Sequence, residues 1–130
     1  MDRSELLARA RAFAEEGMVD TCTIRRRNGE TLDPHTAETV PTYDLIYQGK
    51  CRVQMTIAQA QQQNAGEAHL LMVRLEVQLP MSATGIEPED ETTIDTSRDP
   101  DLVGRIFIVR DLFHKTDATS RRIGVLERTS

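Results

Sequence analysis

Histidine and cysteine are the side chains that most often build metal centres and nucleophilic sites, and this chain has few of them. It contains three histidines, His35, His69 and His114, and two cysteines, Cys22 and Cys51. Their spacing matches no zinc signature, and neither cysteine belongs to a CxxC pair. We therefore predict no metal and no cofactor. This spacing does not exclude a metal site whose ligands come from separate strands.

Carboxylates are concentrated at one point of the chain, where a pair in a cleft would be able to exchange protons with a substrate. Glu87, Glu89, Asp90 and Glu91 surround Pro88 in a segment typical of a turn. A run of acids in a turn is more often a solvated surface than a catalytic pair, which needs an environment that shifts its pKa values. The chain also has no GxSxG or SxxK motif and no glycine-rich phosphate loop. The sequence therefore predicts a protein that is not an enzyme.

The two cysteines lie in segments where apolar and polar residues alternate, which is the pattern of a half-buried strand. Cys22 shares a face with Met18 and Ile24. In residues 50–57 the side chains expected to point inward are Cys51, Val53, Met55 and Ile57. Because a free cysteine behaves as a small apolar residue, we predict two buried, reduced thiols without a functional role.

The first structural element is predicted to be a helix over residues 2–16. Asp2 and Glu5 fit a capping box, and Gly17 provides the C-terminal stop. Apolar residues recur at helical spacing at Leu6, Leu7, Ala10, Phe13 and Ala14. We expect this helix to cover the end of a β core, and the alternative is a peripheral arm that binds a partner.

From residue 18 onward the apolar period changes from helical to alternating. Asn28-Gly29 is a strong hairpin signal, and Asp33-Pro34 marks a further turn. Residues 58–68 form a polar, low-complexity loop. Strands are expected over residues 18–27, 43–47, 50–57, 69–79, 91–96, 105–112 and 123–126. In the strand over 69–79, the residues expected to face the core are Leu71, Val73, Leu75, Val77 and Leu79.

No helical pattern of ten residues separates these strands, and this excludes a parallel sheet built from βαβ units. The sequence therefore predicts a mostly β fold in a single domain over residues 1–130. We expect a small antiparallel β-barrel or sandwich of six to seven strands over 18–127, preceded by one helix. Closure into a barrel is favoured because it removes exposed strand edges.

Composition bounds the size of the core and the class of partner. The chain has 130 residues, 38% hydrophobic and 4% aromatic with no tryptophan, which allows one domain with a modest core. Its net charge of -5 is opposite in sign to that of most nucleic-acid-binding proteins. It has neither a run of about 20 apolar residues nor a signal-peptide pattern. We expect a soluble protein made in a cytoplasm.

An oligonucleotide-binding barrel is the main alternative for this fold class. Such barrels combine a basic groove with aromatic side chains on which bases stack. Short basic runs occur at residues 25–27 and 121–122, and Tyr43 and Tyr47 are the aromatic residues expected to be exposed together. We interpret both runs as charged strand edges, and the net negative charge weighs against nucleic-acid binding.

Five stretches of the chain carry a resemblance to a known family. They are residues 17–26 (GMVDTCTIRR), 47–54 (YQGKCRVQ), 79–90 (LPMSATGIEPED), 99–111 (DPDLVGRIFIVRD) and 114–122 (HKTDATSRR). In this order, the stretches are similar to the head-to-tail connector proteins, of the stopper type, that long-tailed phages of actinobacteria encode. The resemblance spans nearly the whole chain and is one of architecture, since none of the stretches is a catalytic motif.

The resemblance implies a β-barrel subunit that forms a closed ring in the virion neck. Its partners would be other copies of itself, a portal or adaptor protein on the head side, and a tail-terminator or tail protein on the other. The ring would extend the channel for double-stranded DNA, hold the packaged genome until the tail attaches, and be assembled in the host cytoplasm. It would have no catalytic residues. A tail-terminator or adaptor ring is the nearest alternative role.

Two sets of residues are candidate sites under this interpretation. Proteins of this type close the channel with a polar loop between strands, and by position its counterpart here is the loop over 58–68. Its candidate channel residues are Gln59, Gln61, Gln62, Gln63 and Asn64. Amide groups hydrogen-bond to phosphate without the salt-dependent grip of lysine or arginine, although an outward-facing spacer would have the same composition. The candidate contacts with other subunits or partners are Arg9, Arg11, Arg25, Arg26, Glu89 and Asp90.

Overall fold

A computed structural model describes the backbone of residues 2–59 and 71–128 and the side chains of residues 2–55 and 75–128. Its elements are α1 (Arg3–Glu16), β1 (Asp20–Leu32), β2 (Thr39–Gln59), β3 (Leu71–Leu79), β4 (Glu91–Thr96), β5 (Ile106–Phe113) and β6 (Arg121–Glu127). The candidate channel residues Gln61, Gln62, Gln63 and Asn64 lie outside the described residues, as does the side chain of Gln59. No helix in the described part of the chain is long and apolar enough to cross a membrane.

The strands form one antiparallel sheet that closes into a barrel in the order β1-β2-β3-β6-β5-β4. This confirms the predicted fold class, with six strands and one N-terminal helix. Each strand pairs antiparallel with both of its neighbours in this order. The β1–β2 and β5–β6 hairpins therefore lie on opposite sides of the barrel, separated by β3 on one side and by β4 on the other.

The core consists of inward-facing side chains from every strand. Both cysteines are completely buried and free, which confirms the prediction of two buried thiols. In β5, Phe107 and Val109 point into the core, while Ile106 and Ile108 on the other face are half-buried. The other buried members that the strands contribute are Ile24, Val77, Leu79, Ile94, Ile123 and Val125.

The helix begins and ends where the sequence predicts. The Asp2 side chain accepts a hydrogen bond from the Glu5 amide at 2.8 Å, and Gly17 caps the C-terminus. However, α1 has no buried residue, and Phe13 is 77% exposed. The predicted apolar stripe is therefore only partly covered by the barrel. Polar contacts hold the helix instead: Arg11 donates to the Ala118 carbonyl at 3.0 Å, and Glu15 pairs with Lys50 at 2.9 Å.

The prediction of a hairpin at Asn28-Gly29 is wrong. β1 continues to Leu32, and the Asn-Gly pair is accommodated as an irregularity in the β1–β2 register between Arg27 and Gly29. The Asn28 side chain donates across the ladder to Asp44 at 2.7 Å, which holds this irregularity in place. The chain reverses instead at the second predicted turn, where the Asp33 amide donates to the Glu38 carbonyl at 2.8 Å.

The predicted inward direction of Met55 is also wrong, because this side chain is 65% exposed. Cys51 is buried and Val53 packs against the core, as expected. Near Met55, β2 and β3 extend past the barrel as a pair of strands. β3 pairs with β2 as far as Gln59, but β6 pairs with β3 only from Leu75 onward, so no third strand continues beside this pair. An alternating pattern predicts which residues share a face but not where that face loses its covering layer. The side chains of Ile57, Leu71 and Val73 lie outside the described ones.

β1 and β2 form a second extension past the barrel, at the end of their ladder that is farthest from Met55. β4 pairs with β1 only up to Arg25, whereas the β1–β2 ladder continues to Leu32 and Thr39. Residues 26–44 therefore form a two-stranded projection, which we call the arm. At about 3.3 Å per residue, the six steps from Arg26 to Leu32 reach roughly 20 Å beyond the barrel.

Candidate functional site

The acidic turn before β4 is held by a network centred on Asp90. The carboxylate of Asp90, only 1% exposed, accepts two hydrogen bonds from the guanidinium of Arg26, at 2.9 and 3.0 Å. It also accepts the Glu87 amide at 2.8 Å, and Arg26 donates further to the Gly85 carbonyl at 2.7 Å. The hydrogen bond with Asp90 raises the pKa of Arg26 above its ordinary value. This network fixes the 85–90 turn against β1.

The other acids of the turn also have arginine partners. Glu89 pairs with Arg110, and Glu91 pairs with Arg25 at 3.0 Å and with Arg128. Every carboxylate of the predicted cluster is thus neutralised by a nearby cation, since Glu87 lies 3.5 Å from Arg26. The cluster has the geometry of a structural ion-pair network that joins β1, β4 and β5.

Five of the six predicted partner contacts have neighbours within the subunit. Arg26 and Asp90 bind each other, Glu89 binds Arg110, and Arg11 binds the helix to the 114–120 loop. Arg25 lies over the Tyr43 ring at 3.7 Å, a cation–π contact, while it also pairs with Glu91. Arg9 is exposed on the helix. That these residues also meet another subunit stays a prediction.

Around the cysteines, β1 and β2 form a dense polar and apolar cluster. A hydrogen bond to Cys51, together with burial, raises the pKa of Cys22 far above its ordinary value. Burial raises the pKa of the nearby Tyr47 to about 12, and its hydroxyl donates to the Lys50 carbonyl at 2.7 Å. These groups stay protonated near neutral pH. No group of three or more His, Cys, Asp or Glu side chains within the described ranges is arranged to hold a metal ion.

The main concave surface lies at the loop between β5 and β6. Two adjoining depressions of about 310 and 510 Å³ share the lining residues Phe113, His114, Lys115, Ala118 and Ser120. We call this the β5–β6 groove. The remaining lining residues of the two depressions are Glu76, Met81, Thr116, Thr119, Arg121 and Arg122.

The groove is basic, although the chain as a whole is acidic. Lys115, Arg121 and Arg122 have no carboxylate within 4.0 Å among the described side chains, whereas most other cations of the barrel are paired. Arg121 donates one bond to the Met81 carbonyl at 3.0 Å, but its buried Nε has no partner in the described chain. Glu76 is the acid that lines the groove.

Sequence reasoning did not identify this groove. Arg121-Arg122 was visible as a short basic run, but nothing in the sequence indicated that a partly exposed aromatic ring, Phe113, lies beside it. The two residues meet because Phe113 and Arg122 are direct partners in the β5–β6 ladder. The tyrosines expected to form an exposed pair are instead engaged, Tyr43 by Arg25 and Tyr47 by Lys50.

The arm exposes apolar and acidic side chains together. Leu32 is 61% exposed and Val40 is also accessible, as is Leu45 directly after the arm. The end of the arm, residues 30–40, carries Glu30, Asp33 and Glu38 and has Arg27 as its adjacent cation, paired with Glu30. We call residues 30–40 the arm tip.

Comparison with known proteins gives one match. A family model described as a family of unknown function, DUF6093, matches residues 10–126. No curated protein and no solved structure matches the chain.

Proposed function

The chain belongs to the DUF6093 family, whose function is unknown, and we propose that it is a structural protein of the phage head–tail junction. In this role it forms a closed ring of identical copies in the virion neck. The ring extends the DNA channel between the portal and the tail and helps to retain the packaged genome. Its partners are the portal or adaptor protein above it and the tail-terminator or tail protein below it.

The observation that carries this proposal is the amount of apolar and strand-edge surface left open around a small core. Ten large apolar residues are exposed in the described chain, among them Phe13, Leu32 and Met55. Monomeric proteins expose single apolar residues, but several together on projecting elements are typical of surfaces that another protein covers. A long arm without a third strand adds unpaired backbone to this surface. These features favour a subunit of an assembly.

Charge supports a conduit for DNA over a protein that binds it tightly. A surface that grips phosphate with many cations holds DNA in place, because counterion release makes each contact favourable. A subunit with net charge -5 and about half of its arginines paired to acids lets DNA slide past. The similarity of the five stretches to stopper-type connectors points to the same role. A tail-terminator or adaptor ring would meet the same physical requirements.

The β5–β6 groove favours one further candidate, an oligonucleotide-binding barrel. Its unpaired Lys115 and Arg122 beside the partly exposed Phe113 combine positive charge with an aromatic face, the two elements that single-stranded nucleic acid needs. The groove is short, however, and most other cations of the described barrel are paired with acids.

Two measurements on the purified chain separate these functions. For a connector subunit, sedimentation of the chain with portal and tail-terminator proteins should give a complex of several copies. Titration with single- and double-stranded DNA should show only weak binding at physiological salt. A monomer that ignores the virion proteins and binds single-stranded DNA with steep salt dependence would support the oligonucleotide-binding barrel instead.

A further inference from the structure

The β5–β6 groove has the chemistry of a site for an acidic protein segment. Its exposed cations Lys115 and Arg122 lack carboxylate partners among the described residues, as does the half-buried Arg121. Unpaired donors at the edge of a concave surface favour a ligand that supplies carboxylate oxygens. Phe113 and Met81 add apolar lining, so a suitable ligand has an apolar side chain near its acids.

The arm tip is a segment of this kind. It carries Asp33 and Glu38 beside the exposed Leu32, and the Glu38 side chain has no cation within 4.0 Å among the described residues. The Asp33 carboxylate accepts the His35 amide at 2.9 Å, which fixes the turn that presents these side chains. The tip therefore matches the groove in charge and in apolar content.

Topology places the two surfaces where a repeating contact requires them. The arm leaves the barrel from the β1–β2 hairpin, and the groove lies at the β5–β6 hairpin on the opposite side of the barrel wall. Both lie at the same end of the barrel, because β1 and β5 each pair antiparallel with β4 and so run in the same direction. A subunit with complementary surfaces on opposite sides forms head-to-tail contacts, which close into a ring when the rotation between copies divides a full turn.

We propose that the arm tip of one copy docks in the β5–β6 groove of the next copy. This contact rests on the proposed function, since it names the surface through which the ring closes. Asp33 and Glu38 lie against Lys115, Arg121 and Arg122 of the neighbour, and Leu32 packs near Phe113. DNA phosphate is the competing ligand of the groove, but the small size of the groove and its apolar lining by Phe113 and Met81 favour the protein segment.

Charge reversal with rescue tests the contact. A groove variant, Lys115→Glu with Arg122→Glu, should weaken self-association about 100-fold, because like charges across an interface cost several kcal/mol. An arm variant, Asp33→Asn with Glu38→Lys, should weaken it by roughly tenfold or more while the asparagine keeps an acceptor for the His35 amide. Combining the two should restore association to within about tenfold of the natural chain. Arg98→Glu, an exposed charge change in the β4–β5 connection, is the matched control.

Cross-linking tests the same geometry independently of affinity. A Thr36→Cys chain mixed with a Thr119→Cys chain should form a disulfide between the arm tip and the groove, identified by mass spectrometry of the linked peptides. Thr36→Cys mixed with Arg98→Cys should not form one. The native thiols do not interfere, because Cys22 and Cys51 are buried.

Three results would overturn the contact. They are unchanged association of the groove variant, a combined variant no better than either parent, and a monomeric natural chain that yields no Thr36–Thr119 link. Loss of salt-dependent DNA binding in the groove variant, without rescue by the arm variant, would identify a phosphate site instead. None of these results contradicts the proposed role in the virion neck. Phage particles that lack the chain would contradict that role, and cross-linking would still test the contact between copies.

Discussion

At the scale of single residues, the molecule is organised by buried polar groups with defined partners. The Asp90 carboxylate is nearly inaccessible, yet it accepts bonds from Arg26 and from the Glu87 amide. Burying a carboxylate is costly unless such partners replace water. The acids that make this turn look like a catalytic candidate in sequence are therefore also the residues that hold its shape.

Asp90→Asn should lower the free energy of unfolding by about 1–3 kcal/mol, because an amide cannot accept all the bonds that the buried carboxylate accepts. Urea unfolding measures the loss. Glu30→Gln serves as control, since Glu30 and Arg27 form an exposed pair whose loss should cost less than about 0.5 kcal/mol. Equal effects of the two substitutions would show that the Asp90 network does not stabilise the fold.

Tyr47 provides a pH-dependent prediction. In a Tyr43→Phe chain, absorbance titration of the remaining phenol should give a midpoint near 12 in the folded protein, against the ordinary value of 10.0 after unfolding. Between these two pH values the unfolded chain loses its proton and the folded chain keeps it, so stability falls as pH rises through this window. Tyr47→Phe should reduce that pH dependence, and the part that stays comes from Cys22, whose pKa the hydrogen bond to Cys51 and burial also raise. A folded-state midpoint near 10 would contradict the burial of Tyr47.

The sequence predicts which strand residues are buried better than it predicts which charged residues pair. Alternation correctly predicted that Cys22 and Cys51 face the core, because the side-chain period of a strand is a local property. Arg26 and Asp90, which bind each other, are 64 positions apart in sequence. A single sequence contains no signal for such a pairing, which arises only when the barrel closes.

At the scale of elements, the alternating sequence pattern predicts that the strands exist, while pairing with neighbouring strands determines where they end. Asn28-Gly29 is a strong local turn signal, but the ladder between β1 and β2 continues through it because Asn28 bonds to Asp44 across the strands. Met55 continues an inward pattern, but the barrel no longer covers it. Both errors come from the lengths of hairpins that extend past the core.

The position where the core ends along the β2–β3 ladder can be tested by introducing an aspartate at a buried position and at an exposed one. Val77→Asp should cost about 3–5 kcal/mol or prevent folding, because it places an unpaired charge in the core. Met55→Asp should be nearly neutral, since this side chain already faces solvent. Thermal unfolding of both variants measures the difference. A destabilising Met55→Asp would restore the inward direction that the sequence pattern predicts.

The arm should be dispensable for folding. Thr31 and Val40 are direct partners in the β1–β2 ladder, so an Asn-Gly turn in place of residues 32–39 closes the shortened hairpin. The urea midpoint of this variant should match that of the natural chain, because the arm tip contributes no buried residue. Its self-association should be lost. A variant that fails to fold would show that the arm stabilises the barrel and is not free to bind another chain.

At the scale of the whole molecule, the barrel is a small scaffold that presents an arm on one side and a basic groove on the other. The sequence predicted the barrel and its helix, since strand periodicity and turn spacing are local. It did not predict the groove, which depends on Phe113 and Arg122 becoming neighbours in the β5–β6 ladder. The predicted ring and the glutamine-rich channel loop both concern contacts beyond one subunit, and they stay predictions.

The central proposal is that copies of this chain form a ring in a phage neck, and electron microscopy of intact particles of a phage that encodes the chain tests it most directly. The account predicts a closed ring of six-stranded barrels between the portal and the tail, with DNA passing through its centre and an arm from each copy reaching its neighbour. Particles whose neck has no density for this barrel, or that lack the chain altogether, would contradict it.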